Sequence, residues 1–218
     1  MIWGWIPRNV DLIVDRTVEH IWLALVPVFL GLIVSVPLGW LATTTATARN
    51  VVITVTGLLY TVPSLALIVM LPLVLGTQIL NPLNVVVALT IYTVALLVRS
   101  VADALDAVPR VVIDAATAMG YSQLRRFVAV ELPLAIPVIV AGLRVAVVSN
   151  TSLVTVGALV GLGGLGQLFT EGFQRDIPSE ILAGIVLVLL LALVFDGVLT
   201  LVGRAVTPWT RVGAGAGR

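Results

Sequence analysis

Long runs of apolar residues without a single charged side chain constrain this sequence more than any other feature. Two of them, 21–42 and 51–75, contain no Asp, Glu, Lys or Arg. A membrane-spanning helix needs about 20 such residues, because each residue adds about 1.5 Å along the helix axis. Only 11% of the residues are charged, against about 25% in a typical soluble domain. The sequence therefore predicts a protein whose main solvent is the lipid bilayer.

Five stretches have the length and apolarity of a membrane-spanning helix. They are 21–42, 51–75, 83–102, 134–156 and 181–202. The last three each contain one charged residue, namely Arg99, Arg144 and Asp196. This pattern predicts an all-α polytopic membrane helix bundle with about five transmembrane helices, forming a single domain over residues 1–218.

The Gly-rich segment 157–169 is apolar but too short to cross a membrane alone. We expect a re-entrant or extracytoplasmic connection here, with a six-span arrangement as the alternative. Its glycines fit the pattern G-x-G-x-x-G at Gly161, Gly163, Gly164 and Gly166. A dinucleotide site would need a preceding strand, whereas a membrane span precedes this segment. It is expected to be a flexible external turn where a solute receptor docks or a gate hinges, or a tight turn with no further role.

The distribution of arginine predicts the orientation in the membrane. With the N-terminus outside, only Arg8, Arg16 and Arg175 lie in external segments. The cytoplasmic segments then carry Arg49, Arg99, Arg110, Arg125, Arg126, Arg204, Arg211 and Arg218. Cytoplasmic loops are enriched in positive charge. We therefore predict a multi-pass membrane protein with a cytoplasmic C-terminus and a cytoplasmic loop at 103–133.

That loop contains a small polar module with fixed spacing. Three residues separate the run 114–116, Asp-Ala-Ala, from Gly120, and nine more separate Gly120 from the run 130–133, Val-Glu-Leu-Pro. The small side chains of Ala115 and Ala116 would let a partner surface approach the backbone closely. Gly120 can adopt a positive φ and end a short helix, and a proline suits the first turn of the next helix. An ordinary loop with a glycine cap is the alternative.

The module resembles the EAA loop of the membrane subunits of ABC importers. Asp114 stands where that family usually has Glu, and Val130 where it usually has Ile. The resemblance implies a type I (MetI-like) ABC importer permease fold in which loop 103–133 couples to the ATPase. The residues that it assigns to coupling are Asp114, Ala115, Ala116, Gly120, Leu132 and Pro133.

Other segments resemble one branch of these importers. Residues 60–67, 131–144 and 161–166 are similar to segments of osmoprotectant importer permeases, and the resemblance extends over about residues 20–205. It implies a permease subunit for a quaternary ammonium osmoprotectant such as glycine betaine, choline, carnitine or proline betaine. The same architecture importing another small solute, such as the amino acid methionine, is the alternative.

The resemblance also implies a location in the bacterial plasma (inner) membrane and a set of partner subunits. ATP and Mg would be held by separate ABC ATPase subunits, so no catalytic, cofactor-binding or metal-binding residue is expected on this chain. The further partners are an extracytoplasmic solute-binding protein, a second copy of the permease or a paralogous permease, and membrane lipid. No basic patch with interleaved aromatic residues suggests nucleic acid.

Four candidate pathway or gate residues lie within the predicted spans, namely Tyr60, Pro63, Ser64 and Arg144. The other candidates are Gly161, Gly163, Gly164 and Gly166 of the Gly-rich segment. Arg144 and Asp196 are intramembrane charges, and they are expected as pathway residues, as a mutual ion pair or as structural groups. Aromatic residues are few and scattered, so no aromatic cage for a quaternary ammonium group is visible. Recognition is therefore expected mainly in a separate solute-binding protein, and Tyr60 either lines the pathway or simply packs.

Several function classes lack the residues that they need. Cysteine and lysine are absent, which excludes disulfides and the lysine of a phosphate-binding loop. The sole histidine, His20, makes no metal site by itself and is expected as an interfacial side chain. A secondary transporter would predict inverted repeats, and an intramembrane enzyme would predict paired catalytic groups. The sequence contains neither pattern.

Overall fold

The computed structural model describes residues 4–211, and Arg218, counted above among the cytoplasmic arginines, lies outside them. Nine α-helices are present in this range. They are α1 Val10–Thr44, α2 Ala46–Thr61, α3 Ser64–Leu75, α4 Pro82–Asp106, α5 Arg110–Ala118, α6 Gln123–Arg126, α7 Leu132–Gly157, α8 Gln167–Gln174 and α9 Pro178–Val206. No β-strand occurs within residues 4–211. The all-α prediction is confirmed.

The second predicted span is not one continuous helix. Its residues form α2 and α3, whose axes meet at 101°. Pro63 lies at the break, because proline has no backbone N–H and forces the residue before it out of the helical region. Val62 accordingly has an extended backbone, with φ −66° and ψ 129°.

Two glycines show that α1 and α4 run side by side in the same direction. A Cβ atom at Gly31 would lie 2.3 Å from Thr93, and one at Gly39 would lie 2.5 Å from Val101. The contacts advance toward higher residue numbers along both helices, so the helices are parallel. Because parallel neighbours need a return between them, the broken pair α2 and α3 carries the chain back across the bundle.

Helix α7 returns antiparallel to α4. A Cβ at Gly142 would lie 2.8 Å from Ser100, late in α4, and one at Gly157 would lie 3.5 Å from Val85, early in α4. Helix α9 then packs back along α7. Four helical segments are long and apolar enough to span a membrane, and the bent pair makes five. The described chain therefore passes five times across the bundle, as the sequence predicts.

Helix α4 lies at the centre, in contact with α1, α2, α3 and α7. Its N-terminal half belongs to an apolar cluster with Leu23, Ile68 and Leu89, and its C-terminal half to a second cluster with Val101 and Ile139. Burial on every side explains why α4 is the most enclosed of the long helices.

Short helical segments close the two ends of the bundle. Helices α5 and α6 and a π-helix, Phe127–Glu131, follow the end of α4, whereas the 3-10 turns Ala158–Val160 and Gly164–Gly166 and helix α8 follow the end of α7. Within residues 4–211 none of these adds a sixth span. The module at 114–133, which we call the coupling module, and the Gly-rich segment therefore lie at opposite ends of the bundle.

Candidate functional site

Helix α5 presents one face of the coupling module outward. It begins after Val108 and Pro109 and carries Asp114 and Ala115 as exposed residues. Ala116 is only 2% exposed and faces the bundle. The expectation that both alanines meet a partner is therefore wrong for Ala116, because neighbouring residues on a helix point in different directions. Ala115 remains available to a partner.

Gly120 ends this helix in a left-handed conformation. Its φ is +83° and nothing lies within 4 Å of the Cβ that another residue would add. Its N–H donates to the carbonyl of Thr117 at 3.0 Å, and the N–H of Tyr121 donates to the carbonyl of Ala116 at 3.2 Å. This is a Schellman motif. The predicted helix end at Gly120 is present, and glycine is needed there for its φ and not for space.

Large apolar side chains surround the exposed face of α5. Val111 is 74% exposed, Met119 70% and Leu124 60%. Together with Asp114 and Ala115 they form what we call the docking face. A cluster of exposed apolar residues next to a short polar helix is typical of a protein–protein contact.

An ion pair holds α5 against the start of α7. The Nε of Arg126 lies 2.6 Å from Oε1 of Glu131, and its Nη1 donates to Oγ1 of Thr117 at 2.9 Å. Glu131 is 6% exposed and Arg126 is half-buried, so the pair is partly shielded from solvent. Arg126 and Glu131 are five positions apart, so the sequence does not show the i, i+4 spacing by which a helical ion pair is recognised.

Leu132 and Pro133 lie in the first turn of α7. Leu132 packs on the apolar cluster at the C-terminal half of α4, which includes Phe127, and the Phe127 ring stacks on Trp40 of α1 at 4.8 Å. Pro133 occupies the first turn of α7, where a missing N–H costs little. These two residues fix where α7 leaves the coupling module and are not themselves part of the docking face.

A second charged cluster ties the α1–α2 corner to the end of α4. Arg49 donates from Nη2 to Oδ1 of Asp103 at 2.9 Å and also pairs with Asp106. Sequence reasoning missed this contact, although Asp103 and Asp106 share one helical face at i, i+3 spacing. The cluster borders a cavity of about 250 Å³ beneath α5 and α6.

The pathway candidates of the second span lie at the break between α2 and α3. Pro63 is exposed and Ser64 begins α3. Tyr60 is 51% exposed, and its ring centroid lies 5.7 Å from that of Tyr92, with the planes at 67°. The hydroxyl of Tyr92 donates to the carbonyl of Val62. The two tyrosines, far apart in sequence, therefore form an edge-to-face pair at the helix break.

Arg144 and Asp196 form a two-pronged ion pair between α7 and α9. Nε of Arg144 lies 2.7 Å from Oδ1 of Asp196, and Nη2 lies 2.7 Å from Oδ2. Of the alternatives left open by the sequence, the mutual ion pair is the one present. Parallel N–H···O bonds of this kind fix geometry as well as charge, so the pair sets the contact between the two spans.

We expect that removing either charge of this pair lowers the amount of folded protein several-fold, because the remaining charge then lies unpaired within a span. The variants are Arg144→Leu and Asp196→Leu, measured as the yield of monodisperse protein extracted from membranes. The exchanged pair, Arg144→Asp with Asp196→Arg, should recover most of the yield. A double variant as poor as the single ones would argue against a mainly structural pair.

The Gly-rich segment is packed into the bundle. Gly161 is exposed with φ +84°, but every residue from 162 to 168 is buried. Added Cβ atoms would meet backbone, at 2.3 Å from Ala158 for Gly163 and 2.6 Å from Thr155 for Gly166. A flexible turn that offers its glycines to a receptor is therefore not what the structure contains. The glycines allow close approach of backbone to backbone.

Gly164 lies against His20 of α1. The Cβ of another residue there would lie 2.7 Å from the His20 backbone. His20 is fully buried, and its Nε2 lies 2.9 Å from the carbonyl oxygen of Thr151 in α7. The Gly-rich segment therefore covers His20 at this end of α1, and its expected position at the membrane interface stays a prediction.

Among residues 4–211, no group of three or more Asp, Glu or His side chains is placed to hold a metal ion. The expectations that this chain binds no metal and no cofactor stay predictions.

Comparison with known proteins shows that the chain matches a known protein family. The family model described as "Binding-protein-dependent transport system inner membrane component" matches residues 35–208. The osmoprotectant import permease protein OsmW of Salmonella typhimurium is 35% identical over 210 residues, covering 92% of this chain and 94% of that protein. The glycine betaine/carnitine/choline transport system permease protein OpuCB of Bacillus subtilis is 33% identical and covers 88% of each chain.

A solved structure shares the fold. A chain of the methionine ABC transporter MetNI, in an inward-facing conformation, superposes with a TM-score of 0.82 at 25% identity. The match covers 92% of this chain and 98% of that one.

Proposed function

Because this chain belongs to the family of binding-protein-dependent transport system inner membrane components, we propose that it is the permease subunit of an ABC importer for a quaternary ammonium osmoprotectant. The observation that carries the solute class is the agreement of two relatives at 35% and 33% identity, whose names specify osmoprotectant and glycine betaine, carnitine or choline. The methionine transporter shares the fold at lower identity, 25%, so an amino acid is the second candidate.

The docking face is the proposed contact with the ATPase. Asp114 and Ala115 are exposed there beside apolar residues such as Met119. Arg126 fastens this helix to the start of α7, because it donates to Thr117 of α5 and pairs with Glu131. A movement of the ATPase would therefore be passed to α7 as a rigid displacement and would bias the bundle between two conformations.

The proposed complex contains further subunits. ATP and Mg are held by two ATPase subunits, and a solute-binding protein delivers the osmoprotectant from outside. Five passes of one chain leave little room for an enclosed pathway, so a second copy or a paralogous permease completes it. In this arrangement the N-terminus is external and the end with α5 and α6 is cytoplasmic, consistent with the arginine distribution.

ATP-dependent uptake in membrane vesicles tests this function. The chain would be produced with its ATPase, its solute-binding protein and any second permease, and offered labelled glycine betaine, choline, carnitine, proline betaine and methionine. Saturable uptake of a quaternary ammonium solute is expected, and it should stop when the ATPase cannot hydrolyse ATP. Uptake of methionine alone would replace the solute class while leaving the family intact.

A further inference from the structure

A groove on the outside of the chain lies between α2 and α4. It has a volume of about 310 Å³ and is lined by residues that include Thr56, Gly57 and Tyr60 of α2 and Ala95, Leu96 and Arg99 of α4. We call it the α2–α4 groove. A volume of this size matches the lower range of small-molecule sites.

The groove combines features that do not suit contact with lipid tails. Arg99 falls near the end of the predicted third span and was counted above with the cytoplasmic arginines, and its side chain is 74% exposed. Charged residues inside spans usually face water or other protein. Helix α2, which forms the other wall, buries only Thr56 among its described residues. The groove therefore fits a surface that borders a water-filled pathway between this chain and a second permease.

One wall of the groove carries an aromatic surface held in place. Half of Tyr60 is exposed, and its ring contacts the ring of Tyr92, which is 7% exposed. The Tyr92 hydroxyl is itself fixed by the carbonyl of Val62 at the helix break. The face of an aromatic ring attracts a quaternary ammonium group by cation–π interaction.

The other wall carries the guanidinium group of Arg99, whose N–H donors are available to a ligand. The Nε of Arg99 lies 3.9 Å from Asp103, a carboxylate that already accepts a 2.9 Å bond from Arg49. Arginine is the side chain best suited to bind a carboxylate through two parallel bonds. Arg99 follows Tyr92 by seven residues, roughly 10 Å along the helix. Side chains on a helix lean toward its N-terminus, so the side chain of Arg99 leans toward Tyr92.

We propose that the α2–α4 groove binds zwitterionic quaternary ammonium solutes and favours them over choline. Tyr60 contacts the ammonium group and Arg99 binds the carboxylate. Glycine betaine, carnitine and proline betaine carry both groups, whereas choline lacks the carboxylate. The proposal rests on the proposed function, and it adds a selective step in the membrane to the selection made by the solute-binding protein.

The absence of cysteine from the chain allows a direct test without the solute-binding protein. Leu96→Cys places a single thiol in the groove of the complete permease–ATPase complex, reconstituted in liposomes. A trimethylammonium-bearing methanethiosulfonate reagent is then applied from both sides, with glycine betaine or choline as protectant. Leu193→Cys is the control, because Leu193 is 68% exposed on α9 within a span and should meet lipid.

We expect the cysteine at position 96 to react and that at position 193 to stay unmodified. Glycine betaine should protect position 96 at about tenfold lower concentration than choline, because a hydrogen-bonded charge pair improves binding by about that factor. Adding Arg99→Gln should remove that difference. An unreactive thiol at position 96, or a preference for glycine betaine that survives Arg99→Gln, would overturn the groove proposal. If the wild-type complex imports no quaternary ammonium solute, the proposed function itself fails, which the uptake assay reports separately.

Discussion

Replacing Ala115 with arginine is expected to reduce ATP-dependent uptake to background. Ala115 is exposed at the centre of the docking face, where a long charged side chain would hold the ATPase away or lose its water on contact. Substitution of an exposed residue changes folding stability by only about 0.5 kcal/mol. Uptake in vesicles and copurification of the ATPase should therefore fall together, while the yield of the permease stays unchanged.

Two matched variants separate loss of docking from loss of folding. Ala46→Arg places the same side chain at the exposed first residue of α2, which is not part of the docking face, and should leave uptake near wild type. Ala116→Arg forces a charge into a position that is 2% exposed and should lower the yield of folded protein. Normal uptake by the Ala115→Arg protein would show that the ATPase binds elsewhere.

Gly164→Ala is expected to lower the stability of the folded protein strongly. Gly164 has φ +48°, and its new Cβ would lie 2.7 Å from the backbone nitrogen and Cα of His20. A left-handed conformation costs a non-glycine residue about 1 kcal/mol, and overpacking adds about 2 kcal/mol. The sum of about 3 kcal/mol should appear as a lower midpoint of thermal unfolding in detergent.

Gly197→Ala is the matched control for that measurement. Gly197 lies inside α9 and nothing is found within 4 Å of its added Cβ. Alanine in a helix interior is favoured over glycine by about 0.5–1 kcal/mol, so the midpoint should stay the same or rise. If Gly164→Ala were equally well tolerated, the close packing of the Gly-rich segment on α1 would be disproved.

Helix α7 connects these two ends of the molecule. Polar contacts fasten it to α1, α4 and α9, and a further ion pair lies just before its first residue. They are the Thr151 carbonyl with His20, Asn150 with Thr93 at 2.8 Å, Arg144 with Asp196, and, before the helix, Glu131 with Arg126. A helix held in this way moves together with its neighbours, which agrees with the proposed transfer of motion from the ATPase.

The sequence alone determined the apolar spans, their approximate number and the helix end at Gly120. These features depend on neighbouring residues: an uncharged run decides that a segment is apolar enough to span a membrane, and Gly120 marks a helix end through its own backbone freedom. The coupling role of the module at 114–133 stays a prediction. The break at Pro63 does not follow from a missing N–H alone, because Pro27, Pro37 and Pro72 lie inside continuous helices.

Only the tertiary structure decided how distant residues meet. Tyr60 and Tyr92 are scattered aromatics in the sequence but form one pair in the bundle, and Ala116 faces inward although its neighbour Ala115 does not. Similarly, the glycines of this segment suggest a flexible turn, whereas Gly163 and Gly166 are buried against the end of α7 and the turn after it, and Gly164 is buried against α1. Such contacts depend on how each helix is rotated and how closely it packs. In an almost uniformly apolar chain the pattern of side chains leaves that rotation open, because lipid and protein interior favour the same residues.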